Sequence, residues 1–442
     1  MTTDLTNGSP GKLLWKFSIP LLLSVMFQQL YSIVDSVVAG QYIGEDALAA
    51  IGASYPVTMI FIAIATGSNI GCSVVISTLF GGKEYAKMKT AIFTSLISIF
   101  FISLFLTIIG ILACNPMLKL LDTPENIFSD ASVFLKIYTG GLIFLLFYNI
   151  CTGIFTSLGD SRTPFYFLLA SSLLNILLDL IFVIRFSMGV KGVAWATFTA
   201  QGIASVLSFI TILRRIRSLP ETKGYPRFSF SMLSRISKIA VPSILQQSFI
   251  SFGNILIQKL INNYGSSVIA GYSAAIKLNT FAITSFTTLA NGVSSFTAQN
   301  LGARKLERIN NGFRAAVSMC ILVSVPFVIA YFGFGPGMMG IFLESSNAKA
   351  IVEGTSFLRI TSPFYVIIAI KLIADGVLRG SGSMGPFMIT TFTDLILRVV
   401  LSYILSGFMG SVGIWLSWPI GWTIAALLSF RFYAKGIWKK MI

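Results

Sequence analysis

Histidine is absent from the 442-residue sequence, cysteine occurs four times, and only 11% of the residues are charged, 16 of them acidic. Without histidine there is no imidazole for a zinc site or for a nucleophile–histidine triad. Cys72, Cys114, Cys151 and Cys320 are scattered through apolar or span-edge sequence, without the close pairing of metal ligands or of a disulfide framework. The scarcity of charge excludes an ordinary soluble domain, in which about 25% of residues are charged. A net charge of +16 is the one feature that points toward nucleic acid, but most Lys and Arg fall in the breaks between apolar stretches and build no basic face, so nucleic acid is not expected as a partner.

What the sequence has in quantity is apolar surface: 55% hydrophobic residues and a mean hydropathy of +0.83. Stretches near the 20 residues needed to cross about 30 Å of hydrocarbon recur along the whole chain. They predict twelve spans at 14–38, 53–80, 91–113, 132–156, 164–184, 190–212, 238–262, 267–297, 313–333, 353–377, 386–405 and 411–433. The apolar stretch that follows Lys12 and Lys16 lacks a small-residue cleavage site and reads as the first, retained span. With the amino terminus inside, twenty Lys and Arg collect on the cytoplasmic side, and four, Lys119, Arg185, Lys191 and Lys349, on the other. The positive-inside rule then places both termini in the cytoplasm of a multi-pass protein of the inner (plasma) membrane.

The longest polar break, with Pro220, Gly224 and Pro226, separates six spans from six. It divides the chain into a first lobe at 1–213, a cytoplasmic linker at 214–237 and a second lobe at 238–442. A shift of 221 residues superposes Gly44 on Gly265, Gly71 on Gly292, Gly81 on Gly302 and Met188-Gly189 on Met409-Gly410. Near the fourth and tenth spans the shift is 223, pairing Gly153 with Gly376 and Gly159 with Gly382. The expected fold is therefore all-α: a polytopic membrane protein of twelve transmembrane helices in two pseudo-symmetric six-helix lobes, related by an axis along the membrane normal, with a cavity between the lobes.

Four acids, Asp35, Asp179, Asp375 and Asp394, fall within predicted spans, where a charge costs several kcal/mol unless it has a partner or a water-filled cavity. Asn175 and Asp179 are spaced i, i+4 and share a helix face. Two carboxylates, an amide and a nearby hydroxyl are oxygen ligands suited to sodium, and they equally suit a proton. Plain interhelical hydrogen bonding is the bland alternative. Asp394 and Arg398, again i, i+4, are expected to form a structural salt bridge. Asp375 can pair with Lys371 or with Arg379. Lys277 has no obvious local partner and is a candidate for lining a cavity, with Lys371 and Asp375. Pro20, Pro56, Pro242, Pro326 and Pro363 lie in or beside spans, where each can kink a helix.

The two six-span halves resemble the multidrug and toxic compound extrusion (MATE) family. So do Pro20 placed fifteen residues before Asp35, the Gly81-Gly82-Lys83 loop echoed by Gly302-Ala303-Arg304, Gly159-Asp160-Ser161-Arg162-Thr163-Pro164, and the Gly189-to-Thr197 opening of the sixth span. The resemblance covers nearly the whole chain. It implies a secondary antiporter that exports organic cations and amphiphilic drugs in exchange for sodium or protons. The coupling ion would then be the only cofactor-like species, and drugs and membrane lipid the partners of a chain acting as a monomer. By resemblance Asp35, Asn175, Asp179 and Thr197 match the family's cation site, and Pro20 the proline that bends with it. The acid that one branch of the family carries in the seventh span is replaced here by Gln258, also a candidate cavity residue, which makes a second coupling site doubtful. A flippase for lipid-linked saccharides is the alternative on the same scaffold. An intramembrane enzyme is disfavoured by the lack of histidine and of paired cysteines.

Overall fold

The structure, a computed structural model, describes residues 3–38, 42–220, 224–343 and 347–441, and of these the side chains of all but 32–38, 45, 48, 440 and 441. Fifteen α-helices run in the order α1 Pro10–Val38, α2 Glu45–Gly81, α3 Tyr85–Leu120, α4 Glu125–Gly140, α5 Leu142–Ser157, α6 Arg162–Asp179, α7 Val190–Arg217, α8 Phe230–Ile261, α9 Ser266–Gly302, α10 Leu306–Val328, α11 Gly335–Gly340, α12 Ala348–Thr361, α13 Tyr365–Gly380, α14 Met384–Met409 and α15 Ser411–Ala434. No strand occurs among the described residues.

Ten of the helical stretches described are long and apolar enough to cross a bilayer. The pair α4–α5, bent by 46° at Gly141, makes an eleventh. The one expected span not among these eleven is the eighth, 267–297, which falls in α9; its 37 residues are ample in length at 1.5 Å each but are enriched in Ser, Thr, Asn and Gln. The straight fourth span expected at 132–156 is thus broken, and the tenth is interrupted by a 3₁₀ turn at Ser362–Phe364, where Pro363 cannot donate to the α-helical ladder. Pro20, Pro56, Pro242 and Pro326 sit inside α1, α2, α8 and α10.

The chain forms two compact units. The first comprises Met1–Asp4 and Ile19–Leu245, the second Leu5–Ser18 and Gln246–Ile442. In the first, α2 packs on α3, α4 and α5, and α7 on α4, α5 and α6. In the second, α9 packs on α10, α12 and α13, and α15 on α12, α13 and α14. The internal repeat is visible in the backbone. Gly189, capping α7, has φ 58° and ψ −140°, and Gly410, capping α15, has φ 60° and ψ −141°, a region closed to residues with a Cβ. Lys83 and Arg304 both turn at φ 57°.

Close helix approaches repeat as well. A methyl group on Gly153 of α5 would lie 3.0 Å from the Asn69 carbonyl oxygen of α2, and one on Gly376 of α13 would lie 2.6 Å from the Ala290 carbonyl oxygen of α9. The first helix of each half begins in the other half's unit. Ser18 of α1 lies against Gly292 of α9 in the second unit, and Ala240 of α8 against Gly71 of α2 in the first. Pro20 and Pro242 each follow two residues later, at the same repeat offset.

Candidate functional site

In the first unit α6 ends at Asp179 and continues as a π-helix, Leu180–Arg185, before Gly189 turns the chain into α7. Single π turns are common at functional sites because they rotate side chains away from a helix's regular faces. Gly192, on the first turn of α7, lets the two segments close up: a Cβ there would stand 3.2 Å from the Phe182 backbone. Val183 of the π-helix joins Phe134, Val190, Val193 and Ala194 in an apolar cluster. That cluster positions the polar residues that follow from the same helices.

Asn175 is 3% exposed and Asp179 fully buried, one turn apart on α6. Asn175 Nδ2 donates to Thr197 Oγ1 on α7 at 3.5 Å, so the structure brings Thr197 to the pair across 22 residues of chain. Asn175 Oδ1 receives no hydrogen bond from any described residue, although a buried amide oxygen left unsatisfied costs about 1–3 kcal/mol. A buried amide oxygen and carboxyl group thus lie on one helix beside the half-buried hydroxyl of the next, oxygen groups of the kind that suit sodium or, at the carboxyl, a proton. The backbone of Asp35 belongs to α1, and its side chain lies outside the described residues. Pro20 lies inside α1, its carbonyl accepting from Ser24 Oγ at 2.8 Å.

In the second unit Lys371 Nζ pairs with Asp375 Oδ2 at 2.7 Å, the partner choice left open between Lys371 and Arg379. Asp375 Oδ1 also accepts from Thr390 Oγ1 at 3.0 Å and Ser429 Oγ at 2.6 Å, so this buried carboxylate is held from three helices. Arg379 turns away to Asn291 Oδ1 at 2.5 Å.

The expected Asp394–Arg398 salt bridge does not form. The Arg398 guanidinium lies over the Trp418 ring, 4.3 Å from its centroid, and Asp394 Oδ1 faces Gly421 of α15. The i, i+4 spacing puts the two Cβ atoms on one face, but the indole of the neighbouring helix offers the flat cation a competing surface. Lys277 is exposed, with Nζ 5.9 Å from the Phe342 ring centroid, and Gln258 is half-buried and donates to Asn262 Oδ1 at 2.9 Å. Neither reaches the Lys371–Asp375 pair by a hydrogen bond.

The sequence reading overlooked an anchor beside the first-unit site. Asp160, 2% exposed, accepts from Thr163 N at 3.1 Å and Thr163 Oγ1 at 2.8 Å, and pairs with Arg215 at 2.5 Å, tying the start of α6 to the end of α7. The Asp-x-x-Thr-Pro spacing ahead of a helix is the signal that could have identified the capping half of this arrangement.

Comparison with known proteins places these features in context. The MatE family model matches residues 20–181 and 242–404, once in each half. The chain is 26% identical over 436 residues to the probable multidrug resistance protein YoeA of Bacillus subtilis, covering 96% of this chain and 93% of that one. It is 24% identical over 421 residues to the multidrug export protein MepA of Staphylococcus saprophyticus, with 95% and 93% covered. Among solved structures, the outward-facing conformation of a multidrug resistance MATE family transporter of the MOP superfamily superposes with a TM-score of 0.92 at 23% identity, over 100% of this chain and 98% of that one.

Proposed function

Because the chain belongs to the MatE family, a family of membrane transporters, we propose that it is a secondary active antiporter that exports organic cations and other amphiphilic compounds in exchange for sodium or protons. The observation that carries the reading is the buried group of Asn175, Asp179 and Thr197 at the π-helical end of α6. A purely structural amide would have both ends satisfied. Here the Asn175 oxygen has no donor among the described residues, which supports a role in holding a ligand.

Asp35, on the outer half of α1, completes the cation site in this reading, and Pro20 lets that half of the helix follow the ion. Cation and drug disfavour each other's binding. A coupling of a few kcal/mol between two states of the chain is enough to drive exchange by alternating access. Both termini face the cytoplasm, a placement supported by the twenty-to-four distribution of Lys and Arg. The names of the relatives speak for drugs as cargo, and no feature of the site favours lipid-linked saccharides.

The test is efflux of ethidium from proteoliposomes under an imposed sodium gradient or an imposed proton gradient, with Asp179→Asn as control. Efflux driven by one gradient and lost in the variant is the expected result. Equal efflux by the variant would remove the site from the mechanism, and transport of a lipid-linked saccharide without drug efflux would replace the reading.

A further inference from the structure

The chain ahead of α1 is gripped in the way a bound peptide is gripped. Leu5 is fully buried and Thr6 is 5% exposed, unlike the frayed terminus expected of a short polar leader. Leu5 N donates to Gln299 Oε1 at 3.0 Å, and its carbonyl accepts from Asn300 Nδ2 at 3.2 Å and Arg308 Nη2 at 3.3 Å. Lys305 Nζ donates to the Thr6 carbonyl and to Asn7 Oδ1, both at 2.9 Å, and Arg308 Nη1 to the Gly8 carbonyl at 2.7 Å. Arg308 Nε binds Asn300 Oδ1 at 3.0 Å and so orients the amide that holds Leu5. Four acceptors on successive residues, the carbonyls of Leu5, Thr6 and Gly8 and the Asn7 side-chain oxygen, are met by cationic donors, the stronger class of hydrogen bond.

The grip continues along the helix. Gly11 faces Ala315, and Ser18 packs on Gly292, so residues Leu5–Ser18 belong to the second unit, whereas α1 from Ile19 onward belongs to the first. The repeat does not reproduce the device. At the 221-residue shift Gln299, Asn300, Lys305 and Arg308 fall on Thr78, Leu79, Glu84 and Lys87, none of which can grip a strand in this way as a set.

We propose that Gln299, Asn300, Lys305 and Arg308 form a clamp that makes residues 5–8 the fixed end of α1, so that ion binding on the far arm of that helix is transmitted to the second unit rather than lost as sliding of the whole helix. The inference rests on the antiport reading for its consequence, while the clamp itself can be tested without it. Arg308 is here a positioning residue. Its loss leaves the drug and ion sites untouched and slackens the anchor.

Two measurements test the proposal. In the first, the added cysteine of Thr6→Cys is labelled with a soluble maleimide in the full chain, read above the background of the four buried native cysteines, with and without Arg308→Ala. Labelling at least tenfold slower than at an exposed control, and released by Arg308→Ala, is expected; fast labelling in both would overturn the clamp whatever the protein transports. In the second, wild type, Arg308→Ala and Arg308→Lys are compared for gradient-driven ethidium efflux, equilibrium ethidium binding and ion leak without drug. The expectation for Arg308→Ala is efflux reduced at least tenfold, because its charge-assisted hydrogen bonds to the Leu5 and Gly8 carbonyls are both lost, with binding unchanged, leak raised and partial rescue by Lys. Unchanged coupling, or binding and efflux falling together with the melting temperature, would overturn the lever. Absence of wild-type efflux under either gradient would strike the antiport reading and with it the lever, leaving the labelling result to judge the clamp.

Discussion

Replacing Lys371 by Met should expose how the second unit tolerates charge in its interior. Lys371 and Asp375 have side chains only 3% and 4% exposed, so solvent screens their attraction little. Removing one partner of such a pair strands the other charge, at a cost of about 3–5 kcal/mol. Asp375 keeps the Thr390 and Ser429 hydroxyls as donors, which places the cost at the lower end, about 3 kcal/mol. For a unit of this size each kcal/mol moves the melting temperature by roughly 2–4 °C, so the variant should melt about 6–12 °C lower. The double variant Lys371→Met, Asp375→Leu removes both charges. Thr390 retains the Phe387 carbonyl as acceptor, so only the Ser429 hydroxyl loses its partner and most of the stability should return. The assay is thermal unfolding in detergent, followed by loss of the monodisperse size-exclusion peak. A single variant melting within 2 °C of wild type, or a double variant melting below the single one, would refute the account of Lys371 and Asp375 as a buried ion pair in which each partner offsets the other's burial.

Other expectations follow from the same geometry. Asp179→Asn should abolish gradient-driven efflux at normal expression and melting temperature, and Thr197→Val should weaken ion dependence without abolishing drug binding; both are read from the proteoliposome assay. Gly376→Ala should destabilise by about 1–3 kcal/mol, because the added methyl meets the Ala290 carbonyl oxygen, whereas Gly385→Ala, where nothing lies within 4 Å, should be neutral in the same melting assay. Asp160→Ala removes a cap for Thr163 and the partner of the partly exposed Arg215, and should cost about 2 kcal/mol, visible as lower melting and faster proteolysis near α6. The four native cysteines are free and buried, so an impermeant maleimide applied to whole cells should label Ser187→Cys and spare Ser231→Cys if both termini are cytoplasmic; the reverse pattern would invert the topology.

The bilayer makes much of this fold legible. A span must be long and apolar, so span positions and the six-plus-six division are written in the hydropathy, and the repeat is written in glycines that the backbone cannot replace. Bends are less legible. The 46° break at Gly141 is signalled only by the Gly140-Gly141 pair, which membrane helices also tolerate without bending, whereas the break at Pro363 is announced by a residue that cannot donate to the helix. The pairing of Asn175 with Asp179 follows from helical spacing, but Thr197 comes from another helix and was reached through resemblance alone. The Asp394–Arg398 expectation failed because spacing constrains where side chains start and says nothing of what the next helix offers them. Trp418, twenty residues away, decided the matter.

The two units differ in where their buried polar atoms are satisfied, and that difference bears on function. Asp375 in the second unit is held by an ammonium at Oδ2 and by two hydroxyls at Oδ1, all within 3.0 Å, although Asp394 Oδ1 in the same unit has no hydrogen-bond donor among the described residues. A further ligand at Asp375 would have to displace one of its partners. In the first unit the Asn175 oxygen has no donor among the described residues, and its amide nitrogen reaches Thr197 only at the 3.5 Å limit of a hydrogen bond. A cation bound there would supply the charge–dipole contact that the Asn175 oxygen lacks. The halves share a scaffold but differ in side chains: the 223-residue shift sets Thr152 opposite Asp375 and Tyr148 opposite Lys371, so the ion pair of the second unit has no counterpart at those positions in the first. In the proposed reading the ion is held in the first unit, while the Lys371–Asp375 pair lies in the second, the unit on which the proposed clamp is anchored.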